Sequence, residues 1–156
     1  MEWRNLKEAL ETYGQVLEEQ YREQIVSTGA FASGKLFDSV HHIVTVEDHT
    51  IDLSLSLEDY WKYVEEGRKP GKFPPLDKIE EWIRIKPVAP YPDAKGRVPS
   101  NQQLAFLIGR KIAEEGTEGR HLLDNAIEST QDWIEIIEQA ISKDIEIEID
   151  EFLKKL

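Results

Sequence analysis

The sequence contains no cysteine among its 156 residues, only one methionine, and no long apolar run. Without thiols the chain cannot form a disulfide framework, use a thiolate nucleophile or build a cysteine-bearing zinc or iron–sulfur site. It also lacks the ~20 apolar residues of a membrane span, and Met1 to Asn5 does not resemble the start of a secretory signal. We therefore expect one folded domain, residues 1–156, that is made in a cytoplasm and is stabilised by packing.

Acidic residues dominate the composition, but they are distributed unevenly along the chain. The formal net charge is −12, which opposes contact with phosphate groups, so nucleic acid is not the expected main ligand. Residues 68–111 nevertheless contain ten Lys or Arg against four Asp or Glu, whereas residues 114–156 contain thirteen acids against four bases. One interpretation is a chance asymmetry of the solvated surface. The other is that protein subunits meet through opposite charges, which favours association and orientation.

In the first half of the sequence the spacing of the apolar residues changes from that of a helix to that of β-strands. From Trp3 to Ile25 apolar residues recur every three or four positions, which predicts a long N-terminal helix over about residues 2 to 27. From Val40 to Val46, and from Ile51 to Leu57, the alternation predicts an antiparallel β-hairpin or small curved sheet with one apolar face. A hairpin alone is marginally stable, so several helices must pack on this face and the fold class is α+β.

Three further helical periods follow, over about residues 76–85, 101–115 and 122–141. Ser100 and Gln103 have the spacing of a capping box at the start of the second of these helices, and Gly116 ends it. The residues expected on its buried side are Leu104, Phe106, Leu107, Ile108 and Ile112. The strict alternation of Ile and Glu over residues 145–149 predicts a C-terminal strand, with a helix as the alternative.

A short helix and a stiff basic loop are predicted around residue 65. The helix covers residues 58–66, with Tyr60, Tyr63 and Val64 on its inner side and Trp61 turned outward. Residues 68–75 contain three prolines, which remove backbone donors and restrict the residues before them, so this segment is a loop.

This loop region is the predicted contact with a neighbouring subunit or partner protein. An outward tryptophan beside basic residues is typical of protein interfaces, although a purely core role for the aromatic residues is an alternative. The residues that we expect to make the contact are Trp61, Arg68, Lys69, Lys72 and Phe73.

The segment from Gly29 to Lys35 has the spacing of a phosphate-binding P-loop up to its lysine. However, Leu36 replaces the Ser or Thr that would hold magnesium, and a predicted helix precedes the segment instead of a strand. We also expect a strand to follow where the phosphate-binding helix should start. The segment is therefore interpreted as a flexible exit from the first helix, and no nucleotide or other cofactor is expected.

His41, His42 and His49 lie close together in the predicted hairpin. A metal site built from two of them would need a third ligand on the same face, and adjacent strand residues such as His41 and His42 point to opposite faces. We therefore predict no metal site. No carboxylate pair is accompanied by a converging His or Ser, and the motifs of common hydrolases are missing, so no catalytic residue is assigned and the chain is not expected to be an enzyme.

The order of several short segments resembles that of a known family. Residues 33–40 (SGKLFDSV) lead into the hairpin, residues 63–75 (YVEEGRKPGKFPP) follow it, and residues 104–112 (LAFLIGRKI) precede Gly116-Thr117. In this order, over about residues 30 to 123, they are similar to the neck or tail-completion proteins of tailed bacteriophages. A protein of a crAss-like phage fits the pattern.

This resemblance implies a small α+β subunit of a homo-oligomeric ring in the head-to-tail connector of the virion, without catalysis or cofactor. The implied partners are the portal or an adaptor and the tail proteins; DNA passes through the ring without specific binding, and no membrane is involved. The acidic region after residue 123 lies outside the resemblance. A tail terminator or minor tail protein is the nearest alternative, and a small cytoplasmic regulatory binding protein is an alternative of a different class.

Overall fold

Within residues 3–30, 32–47, 50–86 and 88–156, which the computed structural model describes, the chain forms seven helices and two small antiparallel sheets. This confirms the α+β class and the long N-terminal helix. The elements are α1 (Arg4–Ser27), α2 (Lys35–Ser39), β1 (His41–Glu47), β2 (Thr50–Ser56), α3 (Trp61–Glu65), β3 (Gly67–Arg68), α4 (Leu76–Ile85), α5 (Asn101–Glu115), β4 (Thr117–Glu118), α6 (Leu122–Ser129) and α7 (Trp133–Leu153). None of these described helices combines the length and the apolarity that crossing a lipid bilayer requires.

The larger apolar core lies along one side of α1. The helical period places Leu17, Tyr21 and Ile25 on this side, and Tyr21 and Ile25 are fully buried. Elements α2 and α6 complete the core with Leu36, Val40, Leu122 and Ala126. Full burial of a large apolar side chain contributes about 1.5–3 kcal/mol, so α1 is the element on which the rest of this core depends.

The hairpin packs its apolar face on α1, as the alternation predicted. In the antiparallel register of β1 and β2, His42 lies opposite Leu55 and Val44 lies opposite Leu53, and all four side chains are partly buried. Ile43, on the opposite face, is exposed. The tip residues Asp48 and His49 lie outside the described residues, and with them the part of the histidine argument that concerned His49.

A second, smaller core joins α4 to α5, and both helices have the predicted bounds. Ile79 and Ile83 of α4 are buried against Ala105 of α5. The capping box is confirmed, because the Ser100 hydroxyl accepts from the Gln103 backbone N–H at 3.3 Å while the Gln103 side chain accepts from the Ser100 N–H at 3.0 Å. These reciprocal bonds satisfy two backbone donors that a helix start otherwise leaves free.

The short antiparallel ladder of β3 and β4 joins the segment that follows α3 to the segment that follows α5. Gly67 pairs with Glu118, and Arg68 pairs with Thr117. Gly67 has φ 76°, and a Cβ added there would overlap the backbone carbonyl oxygen of Thr117. A Cβ at Gly119 would likewise overlap the backbone oxygen of Glu65. Glycine is therefore required where the two segments cross at backbone distance.

The single helix predicted over residues 122–141 is wrong, because the chain breaks it at Thr130. The Thr130 hydroxyl donates to the Ala126 carbonyl at 3.0 Å and lies 3.3 Å from the Tyr13 hydroxyl, so its side chain replaces the continuing backbone ladder. Helix α7 then starts at Trp133, whose ring stacks on Tyr13 with the ring centroids 5.9 Å apart. The break turns α7 along α1.

The predicted C-terminal strand is also wrong, and the helical alternative holds. Residues 145–149 belong to α7. The Ile and Glu residues alternate as in a strand, but Ile145, Ile149 and Phe152 also recur at helical spacing, and short apolar patterns of this kind fit both structures. The contact of Asp144 with the start of α1, described below, anchors α7 immediately before this segment.

Helix α3 is shorter than predicted, and its orientation differs from the expectation. Trp61 and Val64 pack against the larger core, whereas Tyr60 and Tyr63 are 38% and 56% exposed. The inward direction of this single turn is fixed by Glu65, whose buried carboxylate accepts hydrogen bonds from the Leu123 backbone N–H at 3.0 and 3.1 Å. A non-local cap thus sets the rotation of the helix.

Gly14 accommodates the ring of His42 rather than simply weakening α1. A Cβ at position 14 would overlap the ring, and the His42 Cβ would be only 3.0 Å away. Alanine normally stabilises a helix interior by about 1 kcal/mol relative to glycine. Because the ring is held by Glu11 and Glu18, we expect the overlap to dominate and Gly14→Ala to lower the free energy of unfolding by about 1–2 kcal/mol.

Urea denaturation followed by circular dichroism measures this change. Gln15→Ala, at the neighbouring exposed position of α1, is the control and should leave the free energy of unfolding nearly unchanged. A Gly14→Ala protein as stable as the wild type would show that the His42 ring moves away without cost.

Candidate interaction surface

The basic loop, residues 68–75, presents two lysines to solvent. Lys69 and Lys72 are exposed, and none of the ion pairs among the described residues involves either of them. Arg68 is partly buried instead, with its guanidinium 4.9 Å from the centre of the Tyr63 ring and its backbone in β3. The loop therefore offers two charged groups free to meet an acidic partner, while Arg68 stabilises the base of the loop.

An exposed apolar patch adjoins this loop. Phe73 is 43% exposed and packs on Phe106, with the ring centroids 5.6 Å apart. Phe106 and Leu107 are 50% and 44% exposed, so the prediction that α5 buries them is wrong; Ala105 and Gly109 are its buried residues. A Cβ at Gly109 would lie 2.7 Å from the Phe73 ring, so this glycine provides the seat for Phe73.

Four of the five predicted contact residues lie together at this loop, and one does not. Arg68, Lys69, Lys72 and Phe73 follow one another in the chain with at least part of each side chain accessible. Trp61 packs against the larger core, so its predicted outward position is wrong. The tyrosines beside it, Tyr60 and Tyr63, are the exposed aromatic residues of this region.

A second exposed surface is formed by the end of α7, residues 145–153, which we call the acidic arm. Ile145, Ile149 and Phe152 are 41%, 53% and 62% exposed and recur at i, i+4 and i+7, so they form one apolar stripe. Glu146, Asp150 and Glu151 lie between them. At 1.5 Å per residue the arm is about 13 Å long. The helical period of this stripe was present in the sequence, but the strand pattern concealed it.

Asp144 fixes the base of the acidic arm to the start of α1. Its carboxylate accepts hydrogen bonds from the backbone N–H of Leu6 at 2.8 Å, and from the backbone and side-chain amides of Asn5 at 3.1 and 2.7 Å. Burial alone would raise the pKa of this carboxyl, but the hydrogen bonds from Leu6 and Asn5 outweigh it and hold the pKa below its ordinary value. The carboxylate also suits the positive end of the helix dipole. No local pattern in the sequence identified this residue.

The uneven charge of the sequence thus corresponds to two separate surfaces. The acidic arm continues α7, which packs on α1, whereas the basic loop and its apolar patch adjoin the smaller core of α4 and α5. Each surface combines exposed apolar side chains with charges of one sign. Surfaces of opposite charge on one chain can meet between copies in a head-to-tail manner.

The glycine-rich segment ends in a helix rather than in the expected strand. The five-residue helix α2 starts at Lys35, and Gly34 precedes it with φ 83°. Lys35 Nζ lies 3.3 Å from Glu81 Oε1 of α4, so the lysine forms an ion pair that bridges two elements. Phe31, within the segment, lies outside the described residues. Leu36, in place of a magnesium-binding hydroxyl, is buried in the larger core.

The two neighbouring histidines of β1 converge instead of pointing apart as expected. His41 Nδ1 lies 3.6 Å from Glu18 Oε1, and His42 Nδ1 contacts the same oxygen. The ring centroids are 5.7 Å apart. Strand alternation alone therefore did not decide where these rings lie, because the α1 carboxylate attracts both of them.

No family model, curated protein or solved structure matches this chain.

Proposed function

We propose that this chain is a structural protein of a tailed-bacteriophage particle, one subunit of a ring in the head-to-tail connector, without a catalytic role. The order of the sequence segments described above supports the family, and the paired surfaces of opposite charge support assembly. The observation that carries the proposal is that the acidic arm and the basic loop are both exposed, both partly apolar and opposite in charge.

The occupant proposed for the acidic arm is the basic loop of a second copy. Glu146 and Asp150 would face Lys69 and Lys72, while the stripe of Ile145, Ile149 and Phe152 would cover the patch of Phe73 and Phe106. A contact between two different surfaces repeats from copy to copy, and it closes into a ring when its rotation permits. The net charge of −12 suits such a ring, since like charge lets DNA pass without sticking.

The arm contact is expected to be weak for a single pair of copies. Ile145, Ile149 and Phe152 are already about half buried, so covering the remainder contributes roughly 2–5 kcal/mol, no more than the translational and rotational freedom lost on association costs. A free dimer is therefore sparsely populated at low concentration. Ring closure, or a neighbouring ring of the connector as a template, adds contacts without the same entropic loss.

A charge exchange between the two surfaces tests the contact. We expect Lys69→Glu/Lys72→Glu and Glu146→Lys/Asp150→Lys each to lower assembly at least about tenfold, because each places like charges opposite one another. The combined four-substitution protein should regain assembly, since the opposite charges are restored in reverse. Sedimentation velocity at high protein concentration and low salt, with negative-stain electron microscopy for ring shape, measures the outcome.

Lys95→Glu, at an exposed loop position that belongs to neither surface, is the matched control and should assemble as the wild type. Arg68 is left unchanged because its stacking on Tyr63 makes its reversal a test of folding as well as of assembly. If both double variants assemble at the wild-type concentration, the arm does not bind the loop. If each double variant loses assembly and the four-substitution protein does not regain it, the two surfaces do not bind one another and the partner of the contact is another protein.

The location of the protein separates this function from its alternatives. Mass spectrometry and electron microscopy of purified particles should find the protein at the connector. A position at the end of the tail tube would indicate a tail terminator or minor tail protein. A protein present only in the host cytoplasm and never in particles would exclude a structural role in the virion and favour a regulatory binding protein.

A further inference from the structure

We propose that Glu18, His41 and His42 bind one divalent transition-metal ion, with zinc as the best-fitting candidate. This inference concerns α1 and the start of β1 and does not depend on ring assembly. One ligand atom from each residue lies within 4.8 Å of the other two, and in both histidines Nδ1 lies near Oε1 of Glu18.

The spacing of these atoms is close to that of ligands around one ion. Zinc binds nitrogen at about 2.0–2.1 Å and carboxylate oxygen at about 2.0–2.2 Å, so neighbouring ligands of a tetrahedral ion are roughly 3.3–3.6 Å apart. His41 Nδ1 and Glu18 Oε1 are already 3.6 Å apart. His42 Nδ1 contacts Oε1 directly, so its ring has to retreat slightly to admit the ion between them.

The carboxylate of Glu18 is held in one orientation by contacts to both of its oxygens. The His42 backbone N–H donates to Oε1 at 2.7 Å, while Arg22 Nη2 lies 3.0 Å from Oε2. Arg22 therefore occupies Oε2, while Oε1 accepts the backbone N–H with one lone pair and keeps the other available to an ion held by the two imidazoles.

His42 has the surroundings of a metal-binding histidine. Its second ring nitrogen, Nε2, lies 3.3 Å from Glu11 Oε2, and its ring is seated against Gly14 of α1. A carboxylate behind the distal ring nitrogen fixes the tautomer and increases the basicity of the ligating nitrogen, an arrangement that recurs around protein metal sites. Glu11 would thus act through His42, as a positioning residue rather than a ligand.

The donor set determines the class of ion. Two imidazole nitrogens and one carboxylate oxygen suit zinc and other late first-row transition metals, whereas magnesium and calcium prefer oxygen ligands. Glu11, Glu18 and Arg22 together carry a net charge of −1 when ionised, which favours a cation. The His41 side chain is 70% exposed, so the fourth position of the ion faces solvent and water can fill it.

A second group of potential ligands, Glu65, His121 and Asp124, fits less well. Both oxygens of Glu65 already accept hydrogen bonds from the Leu123 backbone N–H, and Oε1 also accepts from that of Asp124. An ion there would have to displace the cap of α6. His121 is therefore useful as a control position.

Thermal unfolding in zinc chloride and in EDTA tests the proposal. With zinc at a hundredfold excess over its dissociation constant, we expect the Tm of the wild type to rise by about 5–10 °C, and calorimetric titration to give one ion per chain. Magnesium chloride should leave the Tm unchanged. Absence of zinc binding, or an equal shift with magnesium, would overturn the proposal.

The decisive variant is His41→Ala, because His41 is exposed and its removal leaves the contacts of Glu18 and His42 in place. Its Tm in EDTA should equal that of the wild type, while its zinc affinity should fall by more than about 10-fold, the loss that even outer-shell partners cause. His121→Asn, which tolerates the left-handed backbone at position 121, should bind zinc as the wild type. Wild-type zinc affinity in His41→Ala would refute the site, as would loss of binding in His121→Asn alone.

Discussion

Replacing Gly67 by alanine is expected to lower the free energy of unfolding by about 3–5 kcal/mol. Gly67 has φ 76°, where an L-residue with a Cβ is strained, and the added Cβ would overlap the Thr117 carbonyl oxygen. That oxygen belongs to the backbone of β4, so it cannot rotate away as a flexible side chain would. Both β strands would have to separate, and the backbone hydrogen bonds of the ladder would be lost with them.

Gly96 provides a closely matched control for this substitution. Its φ is 74°, almost the same as at Gly67, but a Cβ there would meet no atom within 4 Å. Gly96→Ala should therefore cost only the backbone strain, about 1–2 kcal/mol. Urea denaturation of both variants, followed by circular dichroism, separates strain from overlap. Equal losses in the two proteins would mean that β3 and β4 adjust to the methyl group without cost.

Removing the carboxylate of Asp144 is the second substitution with a large expected effect. Asp144→Ala leaves the Asn5 and Leu6 amides without their buried acceptor and detaches the base of the acidic arm. We expect a loss of about 2–3 kcal/mol at pH 7, which combines a lost helix cap with an unsatisfied buried donor. Asp150→Ala, in the same helix but exposed, should change the free energy of unfolding by less than about 0.5 kcal/mol.

The pH dependence of the stability difference provides an independent test of this prediction. The pKa of Asp144 is lower in the folded protein than its ordinary value, so the folded state favours the charged form. Its contribution to stability is complete above the ordinary aspartate pKa, about 3.9, and disappears as the pH falls through the lower folded-state pKa. The stability difference between wild type and Asp144→Ala should shrink in this acid range. Burial raises the pKa of Glu18, but hydrogen bonds from His42 and Arg22 outweigh it and lower this pKa as well. Glu18 is present in both proteins, so its contribution cancels in the difference.

A constant difference down to the lowest pH at which the wild type remains folded would contradict the assignment of Asp144 as a charged cap. Urea titrations at several pH values between neutral and acid measure it. The amide variant Asp144→Asn should fall between wild type and alanine, because one oxygen can still accept from a backbone N–H.

The parts of the fold that sequence reasoning predicted correctly depend on local signals. The bounds of α4 follow from its apolar period and the prolines on either side, and the capping box at Ser100 requires only residues three positions apart. The hairpin follows from strict alternation with one apolar face. In each case the interactions that define the element lie within the element itself or between neighbouring segments.

The errors have a common physical cause, which is that distant residues decided the outcome. The break at Thr130 involves Tyr13, and the rotation of α3 is set by the cap that Glu65 gives to α6. Asp144 anchors α7 to the start of α1. None of these partners is close in sequence. The exposure of Phe106 could not be predicted for a related reason, since a surface phenylalanine has the same helical spacing as a core residue.

The candidate surface was predicted in part for similar reasons. Proline content marked residues 68–75 as a loop, and loops are accessible, so the exposure of Lys69 and Lys72 followed from composition. The convergence of His41 and His42 on Glu18 required knowledge of where α1 lies relative to β1. That placement is a property of the tertiary fold, and adjacent-residue geometry in an isolated strand does not contain it.

The packing of α7 against α1 has a consequence for folding during translation. The hydrogen bond between Asn5 and Asp144 spans 139 positions of the chain, so at roughly 5–20 residues per second about 7–28 s of translation separate the syntheses of these two residues. For most of this interval the apolar face of α1 is not yet covered by α6 or α7. The hairpin of β1 and β2 is synthesised earlier and also packs on α1. It therefore covers part of this apolar face and protects the nascent chain against aggregation until α6 and α7 are made.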